Sequence, residues 1–262
     1  MADENWVALL GTKGGPAIRP GSAMPTASLL CLDGQRIVVD CGLGVTRGLV
    51  DQGMTLKELG AIVITHLHSD HYLELGPLLH TAWTAGLNHG VTVWGPAGLE
   101  AYWQAFLTSM AADIDLRIAD EGRPDLRAMV TVLPLEEGRI SLPGGLTMDA
   151  IRNIHPPLAD TFALRFQGSA KTVVFSGDTA HYPPLADFAR GADLLIHEAM
   201  LEEALAPLVA RVGNTDGRLM AHLLRSHTFA ADAAQLATAA GVGALALHHL
   251  IPTDDPDFTE AD

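Results

Sequence analysis

Short apolar runs recur along the whole chain: ASLLCL, RIVVD, AIVIT, VTVW, VTVL, LTMDAI, TFALRF, TVVFS, DLLIH and ALALHH. Their brevity and β-branched content predict strands rather than helices. Between them, LGPLLHTAWTAGL (75–87), AGLEAYWQAFLTSMAA (97–112) and TFAADAAQLATAAGV (228–242) repeat apolar residues at three-to-four spacing, which predicts helices. Thr228 stands where the last of these needs an N-cap. Strand clusters mixed with helices predict α/β or α+β layers around a sheet core. The most polar stretch, DIDLRIADEGRPDLR (113–127), reads as a solvated surface connection. No repeat and no low-complexity linker interrupts the pattern, so one domain over 1–262 is expected.

One hairpin can be drawn in register. In SLLCLDGQRIVVDCG, Asp33-Gly34 is a two-residue turn, which sets Cys31 opposite Arg36. Cys41 then lies roughly 16 Å further along at about 3.3 Å per residue. A disulfide needs Cα atoms within about 7 Å, so both cysteines are expected as thiols.

The polar residues fall where the apolar runs end. AIVIT leads into His66-Leu67-His68-Ser69-Asp70-His71, LTMDAIRNI into His155 and TVVFSG into Asp178. DLLI leads into His197-Glu198, and ALAL into His248-His249. A rigid sheet presents side chains at its strand ends along one rim, where they can meet. Neutral imidazoles and carboxylates suit a borderline ion such as zinc, and a carboxylate has two oxygens with which to bridge a pair of ions. In HLHSDH, His66 and His68 would serve one ion, Asp70 and His71 the other. The pattern therefore predicts a dinuclear metal centre of the hydrolytic kind.

Charge narrows the partners. The 262 residues carry 16 Lys and Arg against 31 Asp and Glu, a formal net charge of −15. Without a basic run there is little to hold a phosphate backbone, so nucleic acid is not the expected partner. The acidic start MADENWVALL lacks the basic residues of a signal peptide, and no apolar run is long enough to span a bilayer. A soluble chain, cytoplasmic or otherwise, with no membrane partner is expected; a leader already removed would leave no mark.

These residues resemble the metallo-β-lactamase superfamily of four-layer αββα sandwich hydrolases. The resemblance runs from LLGTKGGP through VVDCG and THLHSDH to HHLIP. GDT (177–179), HEA (197–199), SHT (226–228) and LALHHL (245–250) look most like its phosphodiesterase side, with ribonuclease Z, arylsulfatase-like and cyclic-nucleotide phosphodiesterase-like enzymes. The resemblance implies one metal on His66, His68 and His155, a second on Asp70, His71 and His249, and Asp178 between them. It favours His249 over His248 because the family places this ligand four residues after the position of Leu245. It also implies two divalent ions, with zinc expected and Mn, Fe or Co accepted by such ligands. Asp70, Glu198 and His227 are the implied catalytic residues, Glu198 and His227 acting as a proton-handling pair. A homodimer is a further family expectation.

Two departures set the substrate expectation. Ribonuclease Z commonly carries a long arm for tRNA between the third histidine and the bridging aspartate, yet here only 22 residues separate His155 from Asp178. The Arg-Tyr that often follows the last ligand is replaced by LIPTDD. A small anionic phosphodiester or sulfate ester is thus the expected substrate, cleaved by hydroxide generated at the metals. A lactonase or carboxylic esterase is the alternative, and a tRNA 3′-end endonuclease or a non-catalytic metal-binding partner protein ranks lower. His80, His89 and His222 read as ordinary polar or packing positions, His197 as structural, and His181 as a weak candidate for reaching substrate. Trp83, Trp94, Tyr102 and Trp103 read as packing residues or a substrate wall. Loops at 76–127 and 179–190 are the expected source of specificity.

Overall fold

The computed structural model describes residues 5–213, 216–253 and 258. Two six-stranded sheets form its centre. The first contains β1 (Trp6–Gly11), β2 (Ala27–Leu32), β3 (Gln35–Cys41), β4 (Ala61–Val63), β5 (Val91–Gly95) and β6 (Val130–Pro134), in that spatial order. The second contains β7 (Gly138–Ser141), β8 (Thr147–Arg152), β9 (Phe162–Gln167), β10 (Thr172–Phe175), β11 (Leu194–Met200) and β12 (Ala244–Ile251), again in sequence order across the sheet. Each is mixed. Antiparallel neighbours join β1 to β3 and β7 to β10, and parallel neighbours complete the sheets from β3 to β6 and from β10 to β12.

The helices are α1 (Val45–Asp51), α2 (Ser69–Tyr72), α3 (Leu75–Thr84), α4 (Leu99–Ser109), α5 (Ala111–Glu121), α6 (Pro184–Phe188), α7 (Leu205–Val212), α8 (Arg218–Ser226) and α9 (Ala230–Ala240). Among the described residues, no helix is long and apolar enough to cross a membrane.

Alternation along the strands explains the layering. Leu30, Ile37, Val39 and Val63 face the second sheet, where they meet Met148, Phe166, Phe175 and Ile196. Their neighbours Leu29, Val38 and Ile62 face the other way, onto Leu49, Leu78, Trp83 and Trp103 of the helices. On the second sheet, Val174 and Leu195 turn outward to Leu185 of α6 and Leu236 of α9. Successive side chains on a strand take opposite faces, so a run that is apolar throughout needs cover on both. The result is the predicted αββα sandwich.

The hairpin has the predicted register: Cys31 faces Arg36, Cys41 faces Ala27, and both cysteines are buried thiols. Asp33 and Gly34 take φ of 50° and 76°, the left-handed pair a tight hairpin requires. Two expectations fail. Residues 113–127 are not a loop, since α5 occupies most of the stretch and buries Ile114 with Ile118 packed beside it. Arg117 pairs with Asp113 and Glu121, four residues before and after it, so the charges that suggested solvent are a ladder along the exposed face of a helix. Thr228 does not cap α9 either; Phe229 holds that position, and the threonine hydroxyl donates to the Thr179 carbonyl at 2.7 Å.

Candidate metal centre

The cluster is built from strand ends and from one distorted strand. β4 stops at Val63, and the chain passes through Thr65 and His66 into α2, the single helical turn that carries Asp70 and His71. Asn153 and His155 follow β8, and Asp178 follows β10. β12 behaves differently. It runs through the histidines to Ile251, pairing His248 with Glu198 and Leu250 with Ala199, so His249 is an extra residue with no partner. Its φ of 45° is left-handed, and this bulge re-aims the side chain. His249 turns into the cluster, whereas His248 lies against Phe175.

Two sets of ligand-type atoms converge. His66, His68, His155 and Asp178 form one; Asp70, His71 and His249 form the other. Asp178 Oδ2 lies between them, 3.6 Å from His66 Nε2, 3.9 Å from His155 Nε2, 3.2 Å from His71 Nε2 and 2.9 Å from His249 Nε2. His155 Nε2 and His68 Nδ1 point at each other across 2.9 Å. Apart from half-buried His68, all these residues are buried, and His66 Nε2, His71 Nε2 and Asp178 Oδ1 have no hydrogen-bond partner. Leaving such groups unmatched away from water is costly, and a cation among them removes the cost. The donor set, imidazole and carboxylate at converging positions, fits two divalent ions of zinc type.

Burial and charge divide the imidazoles. Burial pushes His155 down to about 3, so it is a neutral ring with a lone pair to give. Burial would also depress His249, but Asp178 and Asp70 outweigh it and raise that ring to about 10.

Tautomers are fixed from outside the cluster. His155 Nδ1 donates to the Ser226 carbonyl at 2.8 Å. Asp40 controls two more. Its Oδ2 accepts from His71 Nδ1 at 2.8 Å, and its carboxylate accepts the Thr65 hydroxyl, whose oxygen lies 3.1 Å from His66 Nδ1. One buried carboxylate therefore turns the free nitrogen of a histidine from each set toward the centre. Asp40 itself sits at a φ of 61°, an unfavourable conformation for a residue with a side chain, held by the Thr65 amide at 2.8 Å. Sequence reasoning missed Asp40 as a functional residue. Its one signal was an acid closing the strand beside β4. Asp40→Asn should weaken metal binding by about 10- to 100-fold. Competition with a chromophoric chelator reads this directly, and both binding events should weaken, not one.

The remaining predicted residues fall into place unevenly. Glu198 Oε2 accepts from His227 Nδ1 at 2.9 Å, and His227 stacks on His249 with ring centres 5.3 Å apart. His197 is buried elsewhere with its Nδ1 against the Glu198 carbonyl, and His80 pairs with Asp113 at the surface. His89 bonds the Lys57 carbonyl at the surface, and His181 is exposed. Trp83, Trp94 and Trp103 are buried in the cores and Tyr102 packs against them, so none is a substrate wall.

A cavity of about 380 Å³ opens over the cluster, lined by Asp70, Asp178, His249 and His227 at its base. Neither predicted specificity loop lines it. Its walls come instead from residues 13–19 and from α7 and α8, with His222 among them. The loop after β1 lies directly on the site: the Gly15 amide donates to Asp70 Oδ2 at 2.8 Å. A Cβ on Gly14 would sit 2.5 Å from Ile251 and 3.0 Å from the His249 ring, so only glycine lets the backbone pass.

Comparison with known proteins agrees with this architecture. A family model described as Anti-Pycsar protein Apyc1 matches residues 8–210. Ribonuclease Z of Mycobacterium marinum is 30% identical over 249 residues, spanning 94% of this chain and 86% of that protein. Ribonuclease Z of Mycobacterium sp. strain KMS is 34% identical over 256 residues, spanning 95% and 85%. The chain belongs to the Apyc1 family, in the ribonuclease Z-related branch of the metallo-β-lactamase fold. Among solved structures of that fold, YhfI from Bacillus subtilis superposes with a TM-score of 0.71 at 22% identity, covering 97% of this chain and 90% of its own. As a member of this branch, the protein is a metallo-hydrolase with a buried, histidine-rich metal site.

Proposed function

We propose that this metallo-β-lactamase-fold protein hydrolyses a small anionic phosphodiester or sulfate ester at a dinuclear, zinc-type centre. The observation that carries the reading is Asp178 Oδ2, one carboxylate oxygen with four imidazole nitrogens from two ligand sets within 3.9 Å. His66, His68 and His155 would hold one ion; Asp70, His71 and His249 the other; Asp178 would bridge. When bound, such ions ionise water near neutral pH and neutralise charge on the ester.

The chain's own residues supply the rest. Asp40 and Ser226 keep the ligand rings oriented, as their hydrogen bonds require. Asp70 receives the Gly15 amide, which ties the first wall of the cavity to the centre. His227 lines the cavity and donates an Nδ1–H hydrogen bond to Glu198, leaving Nε2 for the substrate. With the ring held in this orientation, a proton on Nε2 is placed where it can pass to a departing alkoxide. This role matters in proportion to how poor the leaving group is. His227→Ala should therefore cost about 100-fold or more on an alkyl ester but far less on nitrophenolate. Equal losses on both substrates would remove His227 from that role.

A second reading, cleavage of RNA, has the ribonuclease Z relatives in its favour. The net charge of −15 and the 22-residue spacing from His155 to Asp178 weigh against it. Incubating the zinc-loaded protein with a precursor tRNA carrying a 3′ trailer decides between them. Specific cleavage at the trailer would support the ribonuclease.

A further inference from the structure

The wall of the cavity built by α7 and α8 has a composition that the hydrolytic chemistry does not need. Leu208 and Val212 lie four residues apart on α7, and Leu219 and Leu223 four apart on α8. That spacing puts each pair on one face of its helix, and all four side chains line the cavity. Leu223 is also part of a core cluster with Met200, Leu205 and Ile251, which anchors the helices to the end of the second sheet. Leu208 and Leu219 pack against the edge of that cluster and are only partly covered by it. Val212 is 47% exposed, while Leu208 and Leu219 are half-buried beside the opening. An enzyme that bound only an anionic head would gain nothing from aliphatic side chains left facing solvent above its metals.

We propose that the aliphatic face of α7 and α8 is a subsite for a compact apolar substituent, of aryl size, carried by the ester whose anionic group sits on the metals. The inference rests on the proposed hydrolase reading and specifies its substrate class: an ester with one apolar organic group. Three observations fix the occupant. The wall is continuous with the cluster, since one cavity touches Asp178, His249 and Leu219. Its volume of about 380 Å³ belongs at the small end of the roughly 300–1,000 Å³ of small-molecule sites. The loop at 13–19 carries Lys13 and Arg19 at its ends, and Gly-Gly-Pro-Ala at 14–17 between them adds only small, uncharged surface.

Calorimetric titration of the zinc-loaded protein with phenylphosphonate and with methylphosphonate tests this without relying on turnover. The two probes share an anionic head and differ in the apolar group. Phenylphosphonate should bind at least about 10-fold more tightly, the usual return from filling a hydrophobic pocket. Leu219→Asn should shrink that ratio to near one, chiefly by weakening phenylphosphonate. Val212→Asn, at a more exposed position that the fold tolerates easily, should shrink it in part. Equal binding of the two probes, binding of neither, or a ratio unmoved by both substitutions would overturn the subsite. Phenyl preference without turnover of any phosphodiester or sulfate ester would keep the subsite and reject the hydrolase reading. Turnover without phenyl preference would do the reverse.

Discussion

Asp178→Asn should leave the protein folded, with no more than one metal ion per chain and turnover lower by about 10³-fold, about 4 kcal/mol of barrier. The change is isosteric, so the loop after β10 keeps its shape. What it removes is charge at the point where both histidine sets converge. An amide offers one oxygen and no charge where a bridge between two cations needs a carboxylate, and its NH₂ group would face imidazole nitrogens. The loss is therefore larger than for Asp40→Asn, which reorients ligands but keeps them all. A second readout separates the site from the fold. In the metal-free protein, Asp178 is the main influence holding His249 at about 10 against burial. With asparagine there, burial should prevail and the ring should titrate well below that value. NMR of the imidazole protons reads this, alongside metal content and hydrolysis. Two metals retained with near-normal turnover would remove Asp178 from the bridging position.

Phe166→Ala should lower stability by about 3–5 kcal/mol, the cost of emptying a well-packed aromatic site. Phe166 is fully buried between the two sheets and meets Phe175 edge to face, with ring centres 5.9 Å apart. Neither sheet can close on the gap without disturbing the other, since Leu30, Ile37 and Val39 belong to the same layer. In a chain of this size that loss corresponds to a melting temperature lower by roughly 10 °C. Both proteins must be compared with chelator present, because bound metal stabilises the folded state in proportion to its affinity. Leu116→Ala, at a position 65% exposed, serves as the control and should change stability by about 0.5 kcal/mol or less.

The layers were legible because a two-residue period leaves little choice. Runs such as LLCL and VVF are apolar on both faces, which demands helices on one side and a second sheet on the other. The hairpin register followed from one dipeptide. α5 was hidden because only Ile114 and Ile118 mark its inner face among many charges, and the i,i+4 ladder around Arg117 was the overlooked clue. The cluster residues stood out as polar residues closing apolar runs. Asp40 did not, because its importance lies in two hydrogen-bonded contacts made across the fold. Local pattern could not separate His248 from His249 either; only the resemblance did. A bulge in β12 turns His249 to the cluster, and bulges leave no mark in a hydrophobic pattern. The cavity walls were misplaced for a similar reason. α7 and α8 look like ordinary amphipathic helices until the sheet end brings them over the histidine cluster.

The central claim is the dinuclear hydrolytic centre, and metal content measured together with ester turnover tests it most directly. The purified protein, or the protein after zinc is added, should hold about two metals per chain. It should hydrolyse bis-nitrophenyl phosphate or nitrophenyl sulfate in a chelator-sensitive way. Two metals with turnover of a nitrophenyl acyl ester alone would keep the centre and move the chemistry to a lactonase or carboxylic esterase. No bound metal, and none taken up from added zinc, would contradict the account at its foundation.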